Sequence, residues 1–284
     1  MTNDSHTQET ATTGAPQPVR EQDGTPIIEL RRLTKSFGSK YALRGVDLRV
    51  MPGESLVIFG PNGAGKTTLI RILSSLSRPS SGTVHIGGLD LATHADGIRR
   101  YLGVVSHAPL LYDSLTAEEN LRFFARLYGM FDPEPRIAMM LEQVGLTTRR
   151  GDQVRTFSRG MVQRLAIARA LLHDPLLLLL DEPDTGLDPQ AAEMLHALLT
   201  SVSGRVPRGE TGEMVSSPLP QPPTSQPSVP RTIVTVTHSL ERGLALADRI
   251  IILSGGRIVF DDDATGVTSS EFRPLYDKYV GGGR

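Results

Sequence analysis

Three short stretches carry apolar residues almost without a break: Leu56–Phe59, Leu176–Leu180 and Thr232–Val236. Runs of this length, bounded by Gly, Pro, Asp or Glu, read as strands buried on both faces of a parallel sheet. Elsewhere apolar residues recur at the three- and four-residue spacing of helices that bury one side. Together these patterns predict strands near 27–33, 44–50, 55–59, 83–86, 102–105, 176–180, 232–236, 250–253 and 257–260. Helices are predicted near 65–75, 116–128, 134–143, 160–172, 189–200, 239–246 and 269–279. Strands separated by helices imply an α/β fold with a mostly parallel core sheet. The stretch 108–158 shows helical patterns and no convincing strand, which predicts a helical subdomain inserted into that core.

Two segments interrupt the pattern. Residues 1–25 are polar and rich in Thr, Gln, Asp, Gly and Pro, and are expected to form a disordered tail. Residues 204–230 include seven prolines, so neither a helix nor a strand ladder can run through them. A disordered Pro/Ser-rich loop into solvent is expected there. No internal repeat is evident, so the chain reads as a single unit. Its main domain is expected over 26–268, followed by a C-terminal helix and tail over 269–284.

Composition narrows the class. Thirty basic residues against 31 acidic ones leave a formal charge of −1, which gives no field suited to nucleic acid. The chain has no cysteine, so disulfides, thiolate metal sites and thiol catalysis are ruled out. The opening residues lack the apolar segment of a secretory signal. The longest apolar run falls far short of the roughly 20 residues that span a bilayer, so any membrane function needs other chains to do the spanning.

The chemistry starts at Gly60-Pro61-Asn62-Gly63-Ala64-Gly65-Lys66-Thr67-Thr68, which follows a strand-like run and precedes a helix-like one. Glycines let consecutive backbone N–H groups turn inward around a phosphate, and the helix start adds its positive dipole end. In such a loop the lysine reaches the β- and γ-phosphates, and the first threonine can ligate Mg²⁺. A Gly-rich turn with an incidental lysine is the alternative, which the strand-and-helix placement makes improbable. Downstream, Leu176–Leu180 runs directly into Asp181-Glu182-Pro183. A buried strand ending in an acid delivers a carboxylate to the sheet edge where ligands bind. Asp181 would hold the Mg²⁺ shell through water, and Glu182 could orient or deprotonate an attacking water. Read alone, Asp-Glu after a strand is also ordinary turn chemistry.

A third element decides the class. Thr156-Phe-Ser158-Arg159-Gly160-Met161-Val-Gln163-Arg164 resembles the signature motif of ABC ATPases, and FSRGMVQRLAIARALLHDP with LLLLLDEPDTGLD looks like an ABC ATPase throughout. The resemblance implies a P-loop fold with an antiparallel β subdomain and an inserted helical subdomain. It also implies ATP and Mg²⁺ as cofactors, ATP hydrolysis, and a location on the cytoplasmic face of a membrane. The implied partners are a transmembrane permease and a second ATPase subunit, most simply an identical one. In the family, Ser158, Arg159, Gly160 and Met161 would cap the ATP held by the partner's cradle. Ser158 also suits a helix N-cap, because Met161, Leu165, Ala168 and Leu172 form an apolar stripe beyond it. By position, Asp188 resembles the aspartate that crosses the dimer interface, and His238 the switch histidine at the γ-phosphate. Phe37 stands where the family stacks an aromatic on adenine, or else is a core residue beside the first strand.

Two departures from the family pattern stand out. The glutamine that senses Mg²⁺ and water is absent from Val104-Val105-Ser106-His107-Ala108-Pro109, where either His107 or Ala108 takes its position. The Pro/Ser-rich stretch 204–230 replaces a short helix-to-strand link. Within the family, SHAPLLYDSLTAEENLRFFARLYG, FSRGM and the C-terminal text resemble the ATPase of the haem exporter in cytochrome c maturation. Drug, lipid and polysaccharide exporters share much of this text, and a soluble non-transport ABC ATPase is a further alternative. With no Cys and with His94 and His107 isolated, direct haem binding is not expected.

Overall fold

The computed structural model describes residues 24–202, 231–264 and 266–281. The expected N-terminal tail, up to residue 23, and the expected loop 204–230 lie outside the described residues.

The main sheet has six strands in the order β10-β9-β3-β8-β7-β6. These are β3 (Ser55–Phe59), β6 (Leu102–Val105), β7 (Leu177–Asp181), β8 (Thr232–Val236), β9 (Arg249–Ser254) and β10 (Arg257–Asp263). All neighbouring pairs are parallel except β9 with β10. Strand β3 sits between β8 and β9, with Leu56 opposite Val234 on one side and Arg249 on the other. Alternate side chains of β7 feed two cores: Leu177 and Leu179 enter one, Leu178 and Leu180 the other. Each of the four is 1 % exposed or less. Burying a leucine this fully is worth about 1.5–3 kcal/mol, which explains why the run needs no polar alternation.

A second, antiparallel sheet has the order β2-β1-β4-β5, from β1 (Ile28–Phe37), β2 (Lys40–Val50), β4 (Ser81–Ile86) and β5 (Leu89–Asp90). The β1–β2 hairpin extends well beyond the expected strand limits at 33 and 44. Its register shifts at Leu30/Leu33, Leu33/Thr34 and Lys35/Ser36 break the two-residue alternation that sequence reading depends on. Helix α2 (Leu91–Arg99) is likewise absent from the predicted elements. Only Leu91 and Ile98 are buried in it, too few to show a period, and it starts where the Asp90 carboxylate accepts from Ala92 N at 2.8 Å.

The remaining helices are α1 (Lys66–Leu73), α3 (Ala117–Leu127), α4 (Glu134–Gln143), α5 (Arg159–Leu171), α6 (Pro189–Val202), α7 (Leu240–Leu246) and α8 (Ser269–Gly281). Thr116 and Glu119 close a reciprocal capping box on α3, with bonds of 3.1 and 2.8 Å. Helices α3 and α4 do not carry a core of their own. Leu121, Ala125, Ile137 and Leu141 join Leu165 of α5 and Leu178 and Leu180 of β7 in one continuous cluster. Movement of these helices is thereby tied to α5 and to the strand that ends in Asp181.

Candidate functional site

Strands β3, β7 and β8 are adjacent in the sheet, and their C-terminal ends carry Gly60, Asp181 and the segment leading to His238. Candidate residues far apart in sequence are thereby gathered at one edge. The loop after β3 is shaped by close backbone approaches. Gly60 has φ +150°, and a Cβ there would lie 2.1 Å from the Leu253 carbonyl oxygen. Gly65 has φ +107°, and its Cβ would come within 2.4 Å of the Ala42 carbonyl oxygen. Only glycine fits either position. The second approach ties the loop to β2, a link across the two sheets.

Lys66 is nearly buried, and its ammonium donates to the carbonyl oxygens of Gly60 at 2.7 Å and Pro61 at 3.0 Å. It stiffens the loop from inside. Burial pushes its pKa below the usual lysine value, against the opposing pull of Glu182 and Asp181. Thr67 Oγ1 donates to Asp181 Oδ1 at 3.3 Å, joining the start of α1 to the end of β7. Asp181 is 4 % exposed, and burial raises its pKa most. The Thr67 hydrogen bond lowers it, the Glu182 charge raises it, and His107 and Lys66 pull it down. The result is a dry carboxylate under-supplied with positive charge. A hydroxyl and a carboxylate in contact are hard oxygen donors of the kind Mg²⁺ takes alongside phosphate oxygens. Among the described residues there is no cluster of three His, Cys, Asp or Glu able to hold a metal without such help.

Glu182 leaves the strand with φ +52°, a left-handed conformation uncommon for a residue with a side chain. Its amide donates to Val236 O at 2.9 Å, which anchors the turn to β8. The conformation aims its carboxylate across the sheet edge, where Oε1 lies 2.6 Å from His238 Nε2. Thr185 Oγ1 donates to the other carboxylate oxygen at 3.3 Å.

The signature segment lies apart from this group. Ser158 caps α5 by accepting from Met161 N at 3.3 Å. No hydrogen bond or ion pair among the described residues joins Ser158–Met161 to Gly60–Thr68. A Cβ on Gly160 would instead lie 3.6 Å from Gly186 O, in the turn before Asp188. Asp188 caps α6, accepting from Ala191 N at 2.8 Å. His107 and Ala108 are both exposed, in a turn closed by Ser106 Oγ donating to Ala108 O at 2.7 Å. Phe37 is 60 % exposed at the hairpin tip, with the Lys35 ammonium 4.9 Å above its ring, so it is not a core residue.

Three contacts escaped the sequence reading. Gln163 Nε2 donates to Pro183 O at 2.9 Å, tying α5 to the residue after Glu182. Arg242 pairs with Asp184 at 3.1 Å, tying the same turn to α7. Arg169, almost fully buried in α5, donates to Val104 O three residues before His107. Gln163 lay within the recognised signature, whereas nothing marked the two arginines.

A parallel sheet with a glycine loop running into a helix, facing an acid at the end of the next strand but one, defines a P-loop nucleoside-triphosphatase core. The family model described as ABC transporter matches residues 43–185. The chain is 34 % identical over 267 residues to a Nod factor export ATP-binding protein I of Cupriavidus metallidurans, covering 89 % of this chain and 80 % of that one. It is 33 % identical over 235 residues to a linearmycin resistance ATP-binding protein of Bacillus subtilis, covering 82 % and 68 %. Among solved structures, it aligns with a dimeric ATP-binding cassette in a post-hydrolysis state with ADP and phosphate. That match has TM-score 0.70 and 28 % identity over 84 % of this chain and all of the other. The chain belongs to the ABC transporter family, as an ATP-binding subunit that hydrolyses ATP. No helix among the described residues is long and apolar enough to cross a membrane.

Proposed function

We propose that this chain is the motor of an ABC exporter, working as a dimer beneath a separate transmembrane permease on the cytoplasmic face of the membrane. The observation that carries the mechanism is the 2.6 Å contact between Glu182 and His238 beside the Lys66 loop. Backbone amides of Gly60–Thr68 and the Lys66 ammonium bind the phosphates of ATP. Thr67 and Asp181 supply the protein oxygens for Mg²⁺, which neutralises phosphate charge when bound. Glu182 takes the proton of the attacking water, and His238 holds that carboxylate in place and faces the γ-phosphate. Phe37, exposed at the hairpin tip, stacks on adenine. His107 stands in for the usual glutamine, since it can hydrogen-bond water and Ala108 cannot.

Dimerisation completes the site. Among the described residues no hydrogen bond or ion pair joins Ser158–Met161 to the cradle of their own chain, and on this reading their capped helix start serves the ATP of a partner, with Asp188 nearby at the interface. A dimeric cassette of this fold supports that arrangement. Helices α3 and α4, sharing their core with α5 and β7, relay closure to the permease. The relatives named for Nod factor export and linearmycin resistance support the exporter reading, with a drug, lipid or polysaccharide cargo as the alternative to haem. The haem-exporter reading of 106–129 finds no such support in them.

Two measurements test the proposal. Glu182→Gln should lower ATP turnover by about 100-fold or more while nucleotide binding persists, and should hold an ATP-bound dimer on size exclusion. Wild-type turnover in this variant would refute the role of Glu182. Co-purification from gently solubilised membranes, read by mass spectrometry, should recover a permease. A permease of the haem-exporter type would restore that cargo, and absence of any membrane protein would overturn the transport reading.

A further inference from the structure

Glu182 holds a strained pose. It carries a side chain at φ +52°, and the ring of Pro183 narrows the conformations open to the residue before it. Backbone strain of this kind persists only where the surroundings over-determine it. The turn that Glu182 opens is tethered from several sides. Strand β8 accepts the Glu182 amide through Val236 O at 2.9 Å. Helix α7 holds Asp184 through Arg242 at 3.1 Å. Within the turn, Thr185 donates to the Glu182 carboxylate at 3.3 Å. The tether from α5 is Gln163, whose Nε2 donates to Pro183 O at 2.9 Å.

The α5 tether acts closest to Glu182 and leads furthest from it. Pro183 is buried, and no backbone amide among the described residues donates to its carbonyl. Gln163 therefore supplies the bond that a buried oxygen needs. With φ of Pro183 locked by its ring, only ψ separates this carbonyl from the peptide plane that joins Pro183 to Glu182. A bond to that oxygen is felt at Glu182. Gln163 stands one turn beyond Gly160, and the start of α5 lies along the same turn of chain. A Cβ on Gly160 would sit in ordinary contact with Gly186 O at 3.6 Å and Leu187 Cδ2 at 3.8 Å. At its far end α5 is pinned to β6. Gly103 makes room there for the Ala170 carbonyl, which a Cβ would approach to 2.4 Å, and Arg169 donates to Val104 O. The helix is a stiff mount, and Gln163 is the side chain by which it grips the residue after Glu182.

We infer that Gln163 is a positioning residue for ATP hydrolysis. Its hydrogen bond to Pro183 O holds the strained turn so that the Glu182 carboxylate meets His238, and hangs that carboxylate on the helix that carries Ser158–Met161. The inference rests on Glu182 being the residue that takes the proton of the attacking water.

ATP turnover of the full chain with Mg²⁺ tests it. Gln163→Glu keeps the shape of the side chain and has no N–H to donate. Its kcat should fall by about 10-fold or more at unchanged KM for ATP, because a displaced catalytic group costs rate rather than ground-state binding. Gln163→Lys, whose ammonium has the reach to donate to the same carbonyl, should recover most of that loss. In a Glu182→Gln background, Gln163→Glu should lower turnover no further. Each of four results would overturn the inference: wild-type kcat in Gln163→Glu, a raised KM at unchanged kcat, no recovery with lysine, or an equal loss in the Glu182→Gln background. If thermal melting shows that Gln163→Glu does not fold, Gln163→Met, of similar length and uncharged, takes its place. If Glu182→Gln itself keeps full turnover, the reading of Glu182 fails, and a crystal structure of Gln163→Met decides the positioning claim by itself. A Glu182 carboxylate drawn away from His238 would uphold it, and the 2.6 Å contact retained would overturn it.

Discussion

Gly65 and Gly63 lie in the same loop, two residues apart, and should respond very differently to alanine. Gly63 has φ +78° with nothing within 4 Å of where a Cβ would sit, so Gly63→Ala meets only backbone strain. A left-handed conformation costs a residue with a Cβ about 1–2 kcal/mol. Gly65→Ala adds to that strain a 2.4 Å approach to Ala42 O and a 2.9 Å approach to Leu43 Cδ2. The first is backbone of β2 and cannot swing aside. Overpacking of this kind costs about 1–3 kcal/mol more. The expected total for Gly65→Ala is therefore about 2–5 kcal/mol, roughly 2 kcal/mol beyond Gly63→Ala. For a protein of this size each kcal/mol shifts the melting temperature by about 2–4 °C. Nucleotide-free thermal unfolding should put Gly65→Ala about 4–8 °C below Gly63→Ala. Equal melting temperatures would show that the loop does not press on β2, and would remove the link between the two sheets.

Three further outcomes follow from the same structure. His173 stacks on Tyr128 with ring centroids 3.7 Å apart, and burial pushes its pKa down to about 4 from 6.5. Because the folded value is depressed, the neutral ring is favoured: its contribution is complete above pH 6.5 and lost as pH falls towards 4. His173→Phe should remove up to about 2 kcal/mol of the stability lost between about pH 7 and pH 5, read from urea midpoints. Ser158→Arg should leave nucleotide binding by the isolated subunit intact but abolish dimer closure in light scattering; loss of both would contradict a site completed by the partner. Finally, Arg231 donates to Val202 O at 3.2 Å, so the chain on either side of residues 203–230 comes back to one point. Replacing that stretch by a short Gly/Ser link should leave ATP turnover unchanged and gain up to about 2 kcal/mol of closure entropy. A stability loss would show that the stretch contributes contacts.

Much of the site was legible because its chemistry is local. A glycine loop opening a helix, a buried run ending in Asp181-Glu182, and Ser158 before an apolar stripe are each specified by a few consecutive residues. The helices with caps and clear periodicity, α3 and α5 above all, fall within one residue of their expected limits. Helix α2 and the long β1–β2 hairpin were harder to read. With two buried residues in one, and three register shifts in the other, neither keeps a regular period.

Sequence alone determined the family and the candidate phosphate-binding and acidic residues, because each group sits at set spacings within one short strand-loop segment. Tertiary structure decided which of them meet. It brought Glu182 to His238 across neighbouring strands, turned Lys66 onto its own loop, exposed Phe37, and joined Gln163 to the residue after Glu182. Those relations depend on strand order and on the packing of α5 over the sheet. Contacts between residues tens of positions apart leave no periodic trace along the chain.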